Sequence, residues 1–352
     1  MNVFLAGGSG AIGVPLVRAL VSAGHQVTAS TRSSANASML RSLGATPAIV
    51  DALDADALCR AVVAAHPTHV IHQLTALPKG GPKSARDLVA TNRLRDEGTR
   101  NLIAAAVAAG ARRILGGSFA LMGAAKSGVP ADAREAADAV RSMESQILDA
   151  GRSGAIEGVV LRYGLFYGPE VASTIEMIAM AKRRLLPAIR NDRSLLPCIH
   201  VDDAASATVA AMDRAPAGTT YDIVDDQPVS FSEIVRAVAE SAGAPTPIAV
   251  PSWLPRLVAP YLARMIALRL PLSNAKARAE LNWRPSFPTI HEGLPPGVRH
   301  AAGALTDVDL CQANRPALVA VPTVEDGAIT ALRIVRNPDK RTYISRQLAP
   351  CQ

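Results

Sequence analysis

Short apolar runs rich in β-branched residues alternate with longer stretches of helical periodicity through the first half of the chain. NVFLAG, QVTAST, TPAIV, THVIHQL, RRILGGS and GVVLRYG have the length and composition of buried strands. Between them VPLVRALVSAG, ASMLRSLG, DALCRAVVAA and TNRLRDEGTRNLIAAAVAAG repeat their apolar positions every three to four residues. Parallel strands need a crossover between them, so this alternation predicts an α/β fold with a doubly wound parallel sheet, Rossmann-like. Gly24, Gly44 and Gly110 stand where three of the helices should end.

From about residue 169 the rhythm loosens, with helices expected at 173–185, 203–214 and 231–242 and a Pro-rich connection through PTPIAVPSWLP. The expected organisation is a nucleotide-binding domain over 1–168, to which 199–214 returns, and a smaller C-terminal substrate or lid domain over 169–297. After HEGLPPG the pattern changes again. Residues 298–352 read as an appended tail, and the alternating apolar segments on either side of Glu325-Asp326-Gly327 predict a β-hairpin within it.

Composition narrows the function classes. At 49% hydrophobic and 19% charged, 352 residues can bury a full core. The formal charge of +7 invites a polyanionic partner, but only six of the 37 basic residues are Lys, and the Arg residues are spread along the chain. Nucleic acid is therefore not the expected partner; a small molecule is. Cys59, Cys198, Cys311 and Cys351 lack CxxC spacing, so neither a zinc site nor a disulfide framework is indicated. No apolar run is long enough to span a bilayer, and MNVFLAGG reads as a first strand rather than a leader, so a cytoplasmic protein is expected.

The loop AGGSGAIG carries Gly7, Gly8, Gly10 and Gly13 between the first strand and a helix starting near Val14. Glycines there let the backbone approach a pyrophosphate whose charge lies at the helix N-terminus, so Gly7, Gly10, Ala11, Ile12 and Gly13 are candidate dinucleotide contacts. A chain that prefers NAD usually places an acidic residue after the second strand, to accept from the ribose hydroxyls. This one has Thr31-Arg32-Ser33, and a guanidinium there suits a 2′-phosphate. NADP is the expected cofactor, with NAD as the alternative and a solvated loop arginine as the other role for Arg32. Asp51, after the third strand, is placed to meet the adenine edge.

Further segments coincide with one family. VIHQLTAL, Asn92 with GTRNL, Ser118 after RRILGG, LRYGLFYGP, IHVDDAA and NAKARAELNWRPSFP together resemble the extended short-chain dehydrogenase/reductase superfamily, which contains the NAD-dependent epimerases and dehydratases. The likeness spans about residues 1–297. It implies a Rossmann-like domain with a small C-terminal substrate domain, cofactor contacts at Leu74, Thr75 and Ala76, and a homodimer formed through helices near 92–109 and 132–150. It also implies a Tyr-x-x-x-Lys pair, whose phenol exchanges a proton with substrate while the lysine favours the phenolate. Here the helix reads DAREAADAVRSMESQILDAG. One register places Ala139 and Met143 at the two positions, the next Val140 and Glu144, and neither supplies the pair. Met143 also falls in an apolar series with Ala133, Ala136, Val140 and Ile147, so core packing is its expected role.

Substitute catalytic groups are Ser118, at the family's substrate-oxygen position, and Tyr167 in YGP, the preferred proton donor. A strand-end hydroxyl bonded to backbone and a packed tyrosine are their other readings. Arg162 is an anion contact or an ion-pair partner, and His200 with Asp202 is a proton relay or a link between domains. His66, His69 and His72 cannot converge on a metal, since His69 and His72 point to opposite faces of one strand. NRPALVAVPTVEDGAITALRIVRNPDK, in the tail, resembles the closing strands of the SnoaL-like domain of some extracytoplasmic-function sigma factors. Two functions follow: an NAD(P)-dependent oxidoreductase or epimerase/dehydratase-like enzyme on a small hydroxylated or nucleotide-activated substrate, or a non-catalytic NADP-binding sensor or partner-binding protein.

Overall fold

The computed structural model describes residues 1–78, 81–124 and 130–294, and the backbone of 319–325 and 328–335. Six strands follow the predicted runs: β1 (Asn2–Ala6), β2 (Gln26–Thr31), β3 (Thr46–Ile49), β4 (His69–His72), β5 (Arg113–Phe119) and β6 (Glu157–Tyr163). A seventh, Thr219–Ile223, pairs with β6. The order across the sheet is β3-β2-β1-β4-β5-β6 and then Thr219–Ile223, with every neighbouring pair parallel. The expected doubly wound Rossmann-like sheet is present. The winding direction reverses between β1 and β4, which opens a crevice beyond the strands' carboxyl ends.

Successive strand residues supply opposite faces of the sheet, as the pleat requires. Phe4, Val70, Ile114 and Val160 pack with Leu58, Leu102 and Met143 from the helices Ala55–Ala65, Thr99–Ala108 and Arg134–Arg152. Leu5, Ile71, Leu115 and Leu161 pack on the other face with Leu16, Val17 and Met212, from the helices Gly13–Ser22 and Val201–Arg214. The helix Val201–Arg214 contacts β5 and β6, and the strand Thr219–Ile223 that follows it pairs with β6 as the outer strand of the sheet. A separate apolar cluster over the carboxyl end includes Leu121, Tyr167, Leu196, Val235 and Ile290.

The long helix Arg134–Arg152 lies unusually close to the sheet. A Cβ at Gly158 would stand 2.0 Å from the Ile147 carbonyl oxygen, so the helix keeps its place only because β6 has no side chain there. The chain divides into two compact units, Met1–His300 and Ala301–Gln352. In the second unit Val319–Glu325 and Ala328–Val335 form the expected antiparallel pair, in register from Val319 opposite Val335 to Glu325 opposite Ala328. The turn residues Asp326 and Gly327 and the rest of the tail lie outside the described residues.

Gly158→Ala should push the long helix off the sheet and lower the unfolding free energy by about 1–3 kcal/mol, as overpacking does; chemical denaturation of the variant against the wild type measures it.

Candidate active site

The glycine loop closes the crevice on one side. Gly7 has φ +91°, and a Cβ on it would lie 2.5 Å from the Gln73 carbonyl oxygen, so only glycine lets the loop cross the end of β4. Gly7 and Gly8 donate their N–H groups to the Ser30 Oγ and carbonyl oxygen, at 3.1 and 3.0 Å, tying the loop to β2. Gly10 and Ala11 form the outer turn, Ile12 is buried, and Gly13 begins the helix. No side chain caps that helix, whose first N–H groups and positive dipole end suit a pyrophosphate. The residues present therefore fit a dinucleotide.

Arg32 follows the last residue of β2; its side chain is exposed, and among the described residues it makes no ion pair. Ser9 and Thr31 share a hydroxyl hydrogen bond of 3.2 Å beside it, and Thr31 Oγ1 accepts from the Ser33 N–H. Asp51 is exposed and accepts from the Leu53 N–H at 3.0 Å, so one of its oxygens holds its own turn. On the opposite wall the Leu74 N–H donates to His72 Nδ1, and the Ala76 N–H donates to Thr91 Oγ1. Thr99 gives its hydroxyl proton to the Arg95 carbonyl, so His72 must donate through Nε2 to Thr99, leaving Nδ1 free to accept from Leu74. Burial pushes the His72 imidazole down to about 4, so the ring is neutral at physiological pH and holds that strand end without charge. Thr75, between the two anchored residues, is exposed.

Ser118 lies on β5 directly opposite Arg162 on β6. Its hydroxyl donates to Glu144 Oε1 at 2.5 Å, and Arg162 reaches the same carboxylate with both arms, Nε to Oε1 at 2.8 Å and Nη2 to Oε2 at 2.6 Å. Glu144 is 5% exposed. A carboxylate so deeply buried is tolerable only with a bidentate partner of this kind, and the Glu144 hydrogen bond in turn raises the Arg162 guanidinium above its usual range. Arg162 is thus an ion-pair partner. Glu144 shows which face of the long helix meets the site. The positions one and two turns earlier on that face are Val140 and Ala136, both buried and aliphatic. Met143 points instead into the core beneath the sheet, beside Phe4 and Val160. The Ala139–Met143 register is therefore not the one facing Ser118, and Val140–Glu144 is.

Tyr167 is placed differently from its expected use. Its hydroxyl donates toward Asp225 Oδ2 at 2.8 Å and the Thr289 carbonyl at 3.1 Å, and its ring stands edge-on to His200. Burial, together with the Asp225 carboxylate, raises the phenol far above its ordinary range. With its hydroxyl held by both partners, Tyr167 has a bracing position in this structure. Tyr163 is equally committed: Gln73 Nε2 donates to its hydroxyl at 2.9 Å, and that hydroxyl passes its proton to Thr208, which donates onward to the Ala204 carbonyl. His200 caps the helix Val201–Arg214 by accepting from the Asp202 N–H, and Asp203 accepts from the N–H groups of Ser286 and Phe287. This motif links segments of the fold, with the Asp202 carboxylate 3.8 Å from His200 Nδ1. His69 and His72 close the two ends of β4, and among the described residues no three His, Cys, Asp or Glu side chains converge as metal ligands. Among these residues, too, no helix is long and apolar enough to cross a membrane.

The chain is 35% identical over 311 residues to the 3-diazoavenalumate denitrifying reductase of a Streptomyces species, covering 84% of this chain and 99% of that protein. It is 27% identical over 262 residues to the 2-alkyl-3-oxoalkanoate reductase of Stenotrophomonas maltophilia, covering 70% of this chain and 77% of that protein. Among solved structures, UDP-glucose 4-epimerase of Thermus thermophilus in complex with NAD superposes with a TM-score of 0.69 at 25% identity, over 87% of this chain and 100% of that one. Residues 3–224, which hold the glycine loop, Ser118, Glu144 and Arg162, match the family described as NAD dependent epimerase/dehydratase. The chain belongs to that family, and a nicotinamide cofactor and oxidoreductase or epimerase chemistry come with it.

Proposed function

We propose that the protein is an NADP-dependent reductase of a small carbonyl- or hydroxyl-bearing substrate, with Ser118 holding the substrate oxygen. The observation that carries this reading is the Ser118–Glu144–Arg162 cluster at the carboxyl ends of β5 and β6, on the crevice that the glycine loop closes. Both reductases described above support reduction over epimerisation. The cofactor, when bound, supplies the hydride; Gly7, Gly10, Ala11, Ile12 and Gly13 would hold its pyrophosphate, Arg32 its 2′-phosphate, Asp51 its adenine edge, and Leu74, Thr75 and Ala76 its inner half. Ser118 has one proton, which it gives to Glu144, so its lone pairs accept from a substrate hydroxyl and rotation of the hydroxyl lets it donate to a carbonyl. Arg162 keeps Glu144 as a fixed acceptor and so orients Ser118. Tyr167 is assigned a positioning role through Asp225. Aliphatic Ala136 and Val140 favour one other reading, cofactor binding without turnover, and NADPH binding with no reduction of any carbonyl substrate would establish it.

Fluorescence titration should show NADPH binding more tightly than NADH, and Arg32→Ala should weaken NADPH by about tenfold while leaving NADH nearly unchanged; tighter NADH binding by the wild type removes the Arg32 assignment. With a reducible substrate, Ser118→Ala should lower kcat by about 100-fold at unchanged NADPH affinity, and full activity would remove Ser118 from the site.

Burial pushes the Asp225 carboxyl up to about 8, against the opposing hydrogen bond from Tyr167. A folded-state value above the unfolded one means that the folded protein holds an extra proton between roughly pH 4 and pH 8, so stability falls as pH rises through that window. Asp225→Asn should flatten that part of the stability–pH curve, measured by urea denaturation at a series of pH values, while retaining the Tyr167 contact.

A further inference from the structure

Away from the crevice, one stretch of the chain leaves its apolar side chains uncovered. The helix Trp253–Val258 has no buried residue, although five of its six residues are apolar. Leu257 is 73% exposed and Trp253 57%, and Val258 and Leu262 are exposed after them. Trp253 and Leu257 stand one turn apart and so share a face. A helix this short is marginal in water without cover, and exposed apolar side chains gathered in this way mark a contact surface. The chain does cover a tryptophan where its fold allows: Trp283 is buried and donates to Ser206 Oγ.

The surroundings of this surface are cationic. Arg256, next to Leu257 in the helix, is exposed and makes no ion pair among the described residues. Between Glu240 and Glu280 the chain has no acidic residue, and its basic residues there are Arg256, Arg264, Arg269, Lys276 and Arg278. Asp132 reaches the stretch from the long helix's approach and is paired with Arg264. A short parallel contact brings more positive charge alongside. Ala188 and Ile189 pair with Ala249 and Val250, and the Arg190 N–H donates to the Val250 carbonyl at 2.8 Å, three residues before Trp253. Arg190 is exposed, as are Lys182, Arg183 and Arg184 in the approach to that contact, and none of the four makes an ion pair among the described residues.

An occupant must therefore accept leucine, valine and tryptophan together with unpaired guanidinium groups. Nucleic acid would meet the arginines but set the leucines against phosphates. A second copy docked about a two-fold axis would place the patch on itself, and so Arg256 near Arg256. Anionic lipid meets both demands, since apolar side chains enter the acyl boundary, tryptophan suits the headgroup level and arginine pairs with lipid phosphates. We propose that residues 253–262 dock the protein on the surface of an anionic bilayer, with Arg190 and Arg256 on the headgroups. The following helix, Pro260–Ile266, holds this surface in place. Its Tyr261, Ala263 and Ile266 are buried, and Tyr261 packs with Val140 of the long helix, so the outward face is carried on a fixed element.

The full-length protein is tested by flotation with vesicles of phosphatidylcholine alone and of phosphatidylcholine mixed with phosphatidylglycerol, with tryptophan emission recorded in parallel. The mixed vesicles should bind about tenfold more tightly or better, the emission should move to shorter wavelength as Trp253 leaves water, and added salt should weaken binding. Leu257→Asp should weaken binding by about tenfold or more and Arg256→Glu severalfold. Trp253→Phe should keep most of the binding and abolish the emission shift, which separates Trp253 from Trp283. Thermal melting followed by circular dichroism checks that each variant folds; if Leu257→Asp does not, Leu257→Ser and Arg256→Glu carry the comparison. Absence of vesicle binding, equal binding to both vesicle types, or folded variants that bind as well as the wild type would each overturn the proposal. A dimer in sedimentation velocity that Leu257→Asp dissolves would overturn it by making a second copy the cover. Failure of iodide to quench Trp253 in the free monomer would do the same by placing another part of the chain over it.

Discussion

A single buried carboxylate organises the carboxyl end of the sheet. Glu144 sits on the long helix at 5% exposure, and its charge is met by Arg162 of β6 and by the hydroxyl of Ser118 on β5. Removing either side of such a pair leaves a buried charge alone, at about 3–5 kcal/mol. The pair therefore pins the rotation of the helix about its axis. With Glu144 turned to Ser118, Val140 and Ala136 lie on that same side of the helix, packed with Leu88, Met122 and Tyr261, and Met143 must face the core. The glycine at 158 sets the distance and the ion pair sets the angle, and together they decide which side chains the long helix turns toward Ser118.

That constraint recasts the absence of a Tyr-x-x-x-Lys pair. The face that carries Glu144 is otherwise aliphatic, and Ala136 and Val140 on it pack with Leu88, Met122 and Tyr261. Tyr167, attractive in a motif, has its hydroxyl committed to Asp225 and the Thr289 backbone, and it contributes stiffness to the cluster that closes over the sheet.

Much of the fold was legible in the chain. Strand runs of four to seven residues broken by amphipathic helices allow few arrangements other than a parallel doubly wound sheet, and the observed strands match those runs closely. The hairpin of the tail was equally visible, from local alternation alone. In the site, the glycine loop was readable because its chemistry is carried by backbone geometry within one contiguous stretch. The outer strand at Thr219–Ile223 was not legible, since strand pairing across 60 residues leaves no local mark.

Glu144, Arg95 and Tyr261 show where sequence alone stops. Glu144 was in view as the alternative register, yet nothing local distinguishes it from the other polar positions of an amphipathic helix; its signal is Arg162, eighteen residues away on the neighbouring strand. Arg95, which is buried, reads as one more charge in NRLRDEG, where Arg93 and Arg100 do make surface pairs with Glu97 and Asp96. Tyr261 sits in a segment whose register nothing local specifies. By itself the sequence determined the order of elements, the parallel sheet and the cofactor loop, because these follow from periodicity and backbone freedom over short spans. Only the tertiary structure decided which polar groups are buried and which of those have partners, because burial is a property of what packs from elsewhere in the chain.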